Sequence, residues 1–167
     1  IHESDSALEY LISYFEKVDD PVEIVFFGDH QPSLSSSFYP YLNGKGLGGL
    51  TLSELENLYT VPFFIWTNYD SDKESVELTS LNYLSTLALE RAGIALPAYN
   101  QFLADMMEEI PAVNSRGFYS KSLGRFLHVE DAAGEDAKWL KNYEILQYNN
   151  MFDKRNKSEL IFPYLKQ

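Results

Sequence analysis

Two short apolar runs, each reached from a segment of helical spacing, constrain this chain more than any other feature. The first is Val22-Glu23-Ile24-Val25-Phe26-Phe27, with Glu23 as its one charge. The second is Val61-Pro62-Phe63-Phe64-Ile65-Trp66-Thr67, whose proline stands near the start, where a strand tolerates a missing N–H. Runs this short, rich in Val, Ile and Phe, read as strands covered on both faces, the pattern of a parallel sheet. Ahead of the first, residues 4–17 place Ala7, Leu8, Leu11, Ile12, Tyr14 and Phe15 on one side of a helix. Asp19-Asp20-Pro21 stops it, because the residue before a proline avoids the helical region. Residues 33–50 read as loop, and 52–58 as a short helix capped by Thr51 or Ser53.

After the second run comes a polar connection over 68–75. A helix over 79–92 follows, with Leu81, Leu84, Leu87 and Ala88 on one face and Gly93 as its stop. Pro97 opens a further helix carrying Phe102, Leu103, Met106 and Ile110, and Pro111 closes it. Phe118-Tyr119 and residues 126–129, around Gly124, read as a small hairpin, and 137–148 as a last helix with Trp139, Leu140, Tyr143 and Leu146. The order helix, strand, helix, strand, helix predicts an α/β fold with a mostly parallel sheet. On this reading 1–112 form the α/β part and 113–167 the hairpin and C-terminal helix of one domain. No internal repeat interrupts the order.

Composition removes several classes of function. A net charge of -12, with 13 Lys and Arg against 25 Asp and Glu, leaves no basic patch for nucleic acid. With no cysteine there is no disulfide, thiolate metal site or cysteine nucleophile. No stretch approaches the roughly 18 apolar residues of a membrane span. The chain opens abruptly at Ile1-His2-Glu3-Ser4, without the basic-then-apolar order of a signal peptide, which reads as a piece of something longer.

The first run ends sharply at Gly28-Asp29-His30-Gln31-Pro32. In open α/β sheets functional groups gather beyond the carboxyl ends of strands. A carboxylate and an imidazole there suit Mn, Mg or Zn, and Gly28 would let the backbone turn so that both side chains face one ion. The bland alternative is an Asp that caps a turn beside a His that packs; a two-residue signal does not decide between them. Gly44-Lys45-Gly46-Leu47-Gly48-Gly49 satisfies G-x-G-x-x-G in form only, since no strand precedes it, and reads as a flexible loop. His2 and His128 are isolated and read as surface or structural. No serine stands in a G-x-S-x-G turn. Asn156-Lys157-Ser158 fits a glycosylation acceptor but carries no weight without the host. Tyr39 and Tyr41, in the loop beside the pair, are candidates to line a groove or simply to pack.

Several segments, taken in order, resemble a known family. They are Ser4-Asp5-Ser6-Ala7-Leu8, Ile24-Val25-Phe26-Phe27-Gly28-Asp29-His30, and Tyr59-Thr60-Val61-Pro62-Phe63-Phe64-Ile65-Trp66. To these are added residues 77–84, Ala92-Gly93-Ile94 and Glu144-Ile145-Leu146-Gln147-Tyr148-Asn149-Asn150. Together they resemble the C-terminal half of the lipoteichoic acid synthase-like sulfatases of the alkaline phosphatase superfamily. The resemblance implies an α/β/α sandwich with a metal, typically manganese, at the strand ends. Asp29 and His30 would be the late pair of metal ligands. It implies phosphoglycerol transfer from a phosphatidylglycerol-like or other anionic ester, or sulfatase-like hydrolysis, by way of a metal-activated threonine.

That threonine, an early acidic ligand and a substrate-contacting histidine all fall upstream of the matched part in the family. Thr51, Thr60, Thr67, Thr79 and Thr86 stand in the wrong segments to replace the nucleophile. The expectation is therefore a fragment without turnover of its own. Its parent would be membrane-anchored, on the outer face of a Gram-positive cell. Two alternatives stand beside this: a non-catalytic binding or scaffolding domain, and self-association through a truncated sheet edge.

Overall fold

The computed structural model describes residues 2–153, 155–158 and 161–162; Ile1 and the end of the expected 113–167 segment lie outside them. Helix α1 (His2–Phe15) leads through Asp19-Asp20-Pro21 into strand β1 (Glu23–Phe27). The junction is tied by a residue that pattern reading left inside a polar connection. Asn68, just beyond strand β2 (Phe63–Thr67), accepts from Val22 N at 2.7 Å through Oδ1. Its Nδ2 lies 3.2, 2.9 and 2.9 Å from the carbonyls of Phe15, Val18 and Asp20, satisfying groups that a helix end leaves open.

The α/β class holds, but the two strands pair antiparallel, not parallel. The register runs from Glu23 opposite Thr67 to Phe27 opposite Phe63. The connection from 28 to 62 leaves the end of β1 and enters β2 at that same end. Helix α2 (Tyr39–Asn43) and helix α3 (Leu52–Asn57) within it are too short to cross a sheet. The expected burial of the first run fails with the pairing. Among the described residues this sheet has two strands, and Phe26 and Phe27 stay 42% and 46% exposed. Helix α1 likewise has no buried residue.

The core lies elsewhere. Tyr83, Leu103, Met106, Ile110, Phe118 and Tyr143 form one buried cluster. They come from a 3₁₀ turn (Leu81–Tyr83) that runs into helix α4 (Leu84–Arg91), from helix α5 (Ala98–Glu109) and its C-cap Ile110, from strand β3 (Gly117–Ser120) and from helix α6 (Gly134–Met151). Tyr83 is fully buried and its hydroxyl donates to Ile110 O at 2.7 Å, so its polar end is satisfied. Burial pushes the Tyr83 phenol far up and that of Tyr99 up to about 12. Strand β3 pairs antiparallel with strand β4 (Arg125–His128), the expected hairpin, and Gly124 turns it at φ +63°, where a side chain would be strained. Helix α5 follows Pro97 and stops before Pro111, with Ile110 as its C-cap, as the two prolines predict. Helix α6 begins at Gly134, three residues before the expected start.

Candidate metal-binding site and adjoining groove

Asp29 and His30 stand at the end of β1, beside the entry to β2. Gly28 makes that position possible, for a different reason from the one the turn suggested. Its backbone is not left-handed; rather, a Cβ there would lie 3.0 Å from Val61 Cβ, tighter than side chains ordinarily approach. Gly28 N donates to Pro62 O at 3.1 Å, so the two strand ends touch where the pair emerges.

The two side chains converge. Asp29 Oδ1 accepts from His30 N at 2.9 Å, which leaves Oδ2 free, and Oδ2 lies 3.4 Å from His30 Nε2. His30 Nδ1 lies 2.9 Å from Gln31 O. A carbonyl only accepts, so Nδ1 carries the proton of that bond and the lone pair of the neutral ring is at Nε2. With the ring neutral, two electron-pair donors face each other across 3.4 Å; with the ring protonated, the same contact is an ion pair. That separation is the edge of a tetrahedron around an ion about 2.1 Å from each donor, and the donor set is one for manganese, zinc or magnesium. Both side chains are open to solvent, 83% and 75% exposed. No third His, Asp or Glu joins them among the described residues. The turn-capping alternative is also visible: Asp29 does bond the next backbone N–H.

A groove of about 1040 Å³ runs from Asp29 past Tyr59 and Pro62, along residues 76–82, to the face of α6 at Tyr143. Its lining carries four carboxylates, Asp29, Glu56, Glu77 and Glu144, against one ammonium, Lys141. Sequence reading passed over Glu56. It is 6% exposed, its Oε2 accepts from Asn114 Nδ2, and its Oε1 is buried without a partner among the described residues. Asn114 Oδ1 in turn accepts from Arg116 N and Gly117 N at 2.8 and 3.1 Å. The turn so fixed places the Arg116 guanidinium 4.4 Å from the centre of the Tyr59 ring. A polar residue inside a short helix gives no periodic signal, so neither Glu56 nor its partner stood out.

The remaining candidates are placed as follows. His2 is exposed on α1, and His128, exposed at the end of β4, has Nδ1 3.4 Å from Arg116 O. Tyr39 lines a small pocket of about 180 Å³ with Gln31 and Pro32, whereas Tyr41 is 88% exposed. Gly44 ends α2 and residues 47–49 form a 3₁₀ turn, so the glycine-rich stretch follows a helix and not a strand. Each threonine hydroxyl has a structural partner: Glu54 for Thr51, Glu56 O for Thr60, Tyr69 O for Thr67, Met107 Sδ for Thr79 and Asn100 for Thr86.

The family model of the sulfatases matches residues 1–94, more than half of the chain and the part that carries the pair. The chain belongs to the sulfatase family. Over 174 aligned residues this sulfatase-family chain is 25% identical to a protein of Rhizobium meliloti (strain 1021) described as "Putative cyclic beta-1,2-glucan modification protein". The alignment covers 97% of the chain and 26% of that relative. Its fold is similar to that of the Streptococcus pyogenes phosphoglycerol transferase GacH, solved in complex with sn-glycerol-1-phosphate. That likeness has a TM-score of 0.61 and 18% identity, over 87% of this chain and 31% of the other. The chain thus spans about a quarter of one relative and under a third of the other. No helix among the described residues is long and apolar enough to cross a membrane.

Proposed function

We propose that this chain is the C-terminal portion of a metal-dependent phosphoglycerol transferase or sulfatase-like hydrolase, acting on phosphate or sulfate esters at the outer face of the cell. The observation that carries the reading is the convergence of Asp29 Oδ2 and His30 Nε2, 3.4 Å apart, at the end of the groove. The groove's charge supports it. An anionic ester entering a site with four carboxylates and one ammonium is repelled unless a cation stands beside it. Asp29 and His30 would hold that cation, manganese in the first instance, with further ligands from the rest of the protein. When bound it supplies charge neutralisation at the ester oxygens and a lowered nucleophile pKa.

The part played by this chain's own residues follows from their places. Asp29 and His30 present two donors on one side, and the Gly28–Pro62 bond holds them at the groove mouth. The likeness to a phosphoglycerol transferase supports a glycerol-phosphate ester as substrate, and the Rhizobium relative's description supports a glycan acceptor. The nucleophile lies outside this chain, so the chain alone has no turnover. A membrane anchor and a Gram-positive envelope complete the proposal for the whole protein.

Two measurements test it. Titration of Mn²⁺ into the chain should show weak binding that Asp29→Ala and His30→Ala each abolish, because two ligands hold a metal poorly. The full-length protein should cleave a glycerophosphodiester or an aryl sulfate only with metal present, and Asp29→Ala should lose that activity. Full activity in the metal-stripped protein would overturn the proposal, as would turnover by the 167-residue chain itself for the part concerning the nucleophile.

A further inference from the structure

Gln31 touches the pair's surroundings twice. Its carbonyl oxygen takes the bond from His30 Nδ1 at 2.9 Å. Its side-chain Nε2 donates to Thr60 O at 2.6 Å, across 29 positions of sequence. Pro32 follows, and a residue before proline is confined to extended backbone, so the direction of the Gln31 carbonyl is restricted from both sides. The pair is otherwise open: both ligand side chains are more than 70% exposed, so nothing packed around the His30 ring fixes its angle.

We infer that Gln31 is the positioning residue of the Asp29-His30 pair. Its carbonyl holds the proton at His30 Nδ1 and so keeps the lone pair at Nε2, and its amide anchors that carbonyl to the strand entry through Thr60. This arrangement has a cost that calls for an anchor. Nε2 of the neutral ring and Asp29 Oδ2 repel each other as two electron-pair donors until a cation lies between them. Released from the carbonyl, the ring is free to rotate or to move its proton to Nε2 and donate to Asp29. Either change removes the second donor. Groups behind a metal-bound histidine commonly set its affinity by 10- to 100-fold. The metal part of this inference rests on the proposed function; the tautomer part does not.

The test is long-range ¹H–¹⁵N correlation NMR on the ¹⁵N-histidine-labelled chain, without metal, at a pH where imidazole is neutral. The chain has 3 histidines, so His2 and His128 serve as internal references. The wild-type chain should show His30 with its proton on Nδ1. Gln31→Met, which keeps size and removes the donor, should move His30 toward the Nε2-protonated form that free histidine prefers, with His2 and His128 unchanged and the backbone amide spectrum preserved elsewhere. Gln31→Ala should do the same. Mn²⁺ affinity should fall about tenfold in both. An Nε2-protonated His30 in the wild-type chain would overturn the inference, and so would an Nδ1-protonated His30 in Gln31→Met. A tautomer that depends on Gln31 in a wild-type chain that binds no Mn²⁺ would uphold the positioning role, and absence of binding by the full-length protein as well would remove the metal from the proposed function.

Discussion

Glu23 shows what one misplaced charge does in a strand. It was the only charged residue of the first apolar run, and the structure leaves its Oε2 buried without a partner among the described residues. Burial pushes its carboxyl up from the ordinary value of 4.5, and Arg91 pulls it partly back. A carboxyl whose pKa rises on folding favours the folded state only while protonated. Its penalty is absent below about 4.5 and is fully present above the raised value. Glu23→Gln should therefore raise the urea midpoint at pH 7 and have little effect at pH 3. Glu54 behaves in the opposite way. The Lys45 ammonium, then the backbone N–H and hydroxyl of Thr51, hold its carboxyl down at about 2. Thr51→Ala removes half of this capping box and should lower helix and chain stability by about 1 kcal/mol, read by chemical denaturation. The Thr51 cap was legible in sequence because capping is local. The orphaned Glu23 oxygen was not, since it depends on what packs over the strand.

Between elements, the decisive contacts are single polar side chains. Asn68 joins the end of α1 to both strands through one acceptor and one amide nitrogen. Asn68→Asp keeps the bond from Val22 but sets a carboxylate oxygen against three carbonyls. It should cost about 3 kcal/mol and speed amide exchange in α1 before the rest of the molecule. In the core, Leu103→Ala should cost about 2 to 5 kcal/mol, since Leu103 is 1% exposed within the one buried cluster. The helices around that cluster were readable because Leu103, Met106 and Ile110 repeat at helical spacing. Strand direction was not readable. Periodicity says that β1 and β2 are strands, while their antiparallel pairing depends on where the connection between them returns. The same limit applied to the candidate site: Asp29 and His30 were singled out by their strand-end position, but Gln31, Glu56 and Asn114 act through side-chain bonds to residues at least 29 positions away and, for Gln31, through its carbonyl to the His30 ring.

For the molecule as a whole, apolar surface is unevenly covered. The cluster around Phe118 is closed, whereas the two-stranded sheet presents Phe26 and Phe27, and α1 presents Tyr10 and Tyr14, to solvent. Exposed strand edges with aromatic residues invite pairing with another chain. We expect light scattering to give a mass that rises with concentration, and Phe27→Lys to restore the monomer. A constant monomeric mass at the highest soluble concentration would count against it.

The Gly28–Pro62 bond has one further consequence. It closes the 28–62 connection at its base, so the ends of that segment are fixed to each other and not only to the sheet. The stretch from 33 to 50 therefore hangs from a clamped neck. Its length can therefore change while the neck still sets the positions of Asp29 and His30.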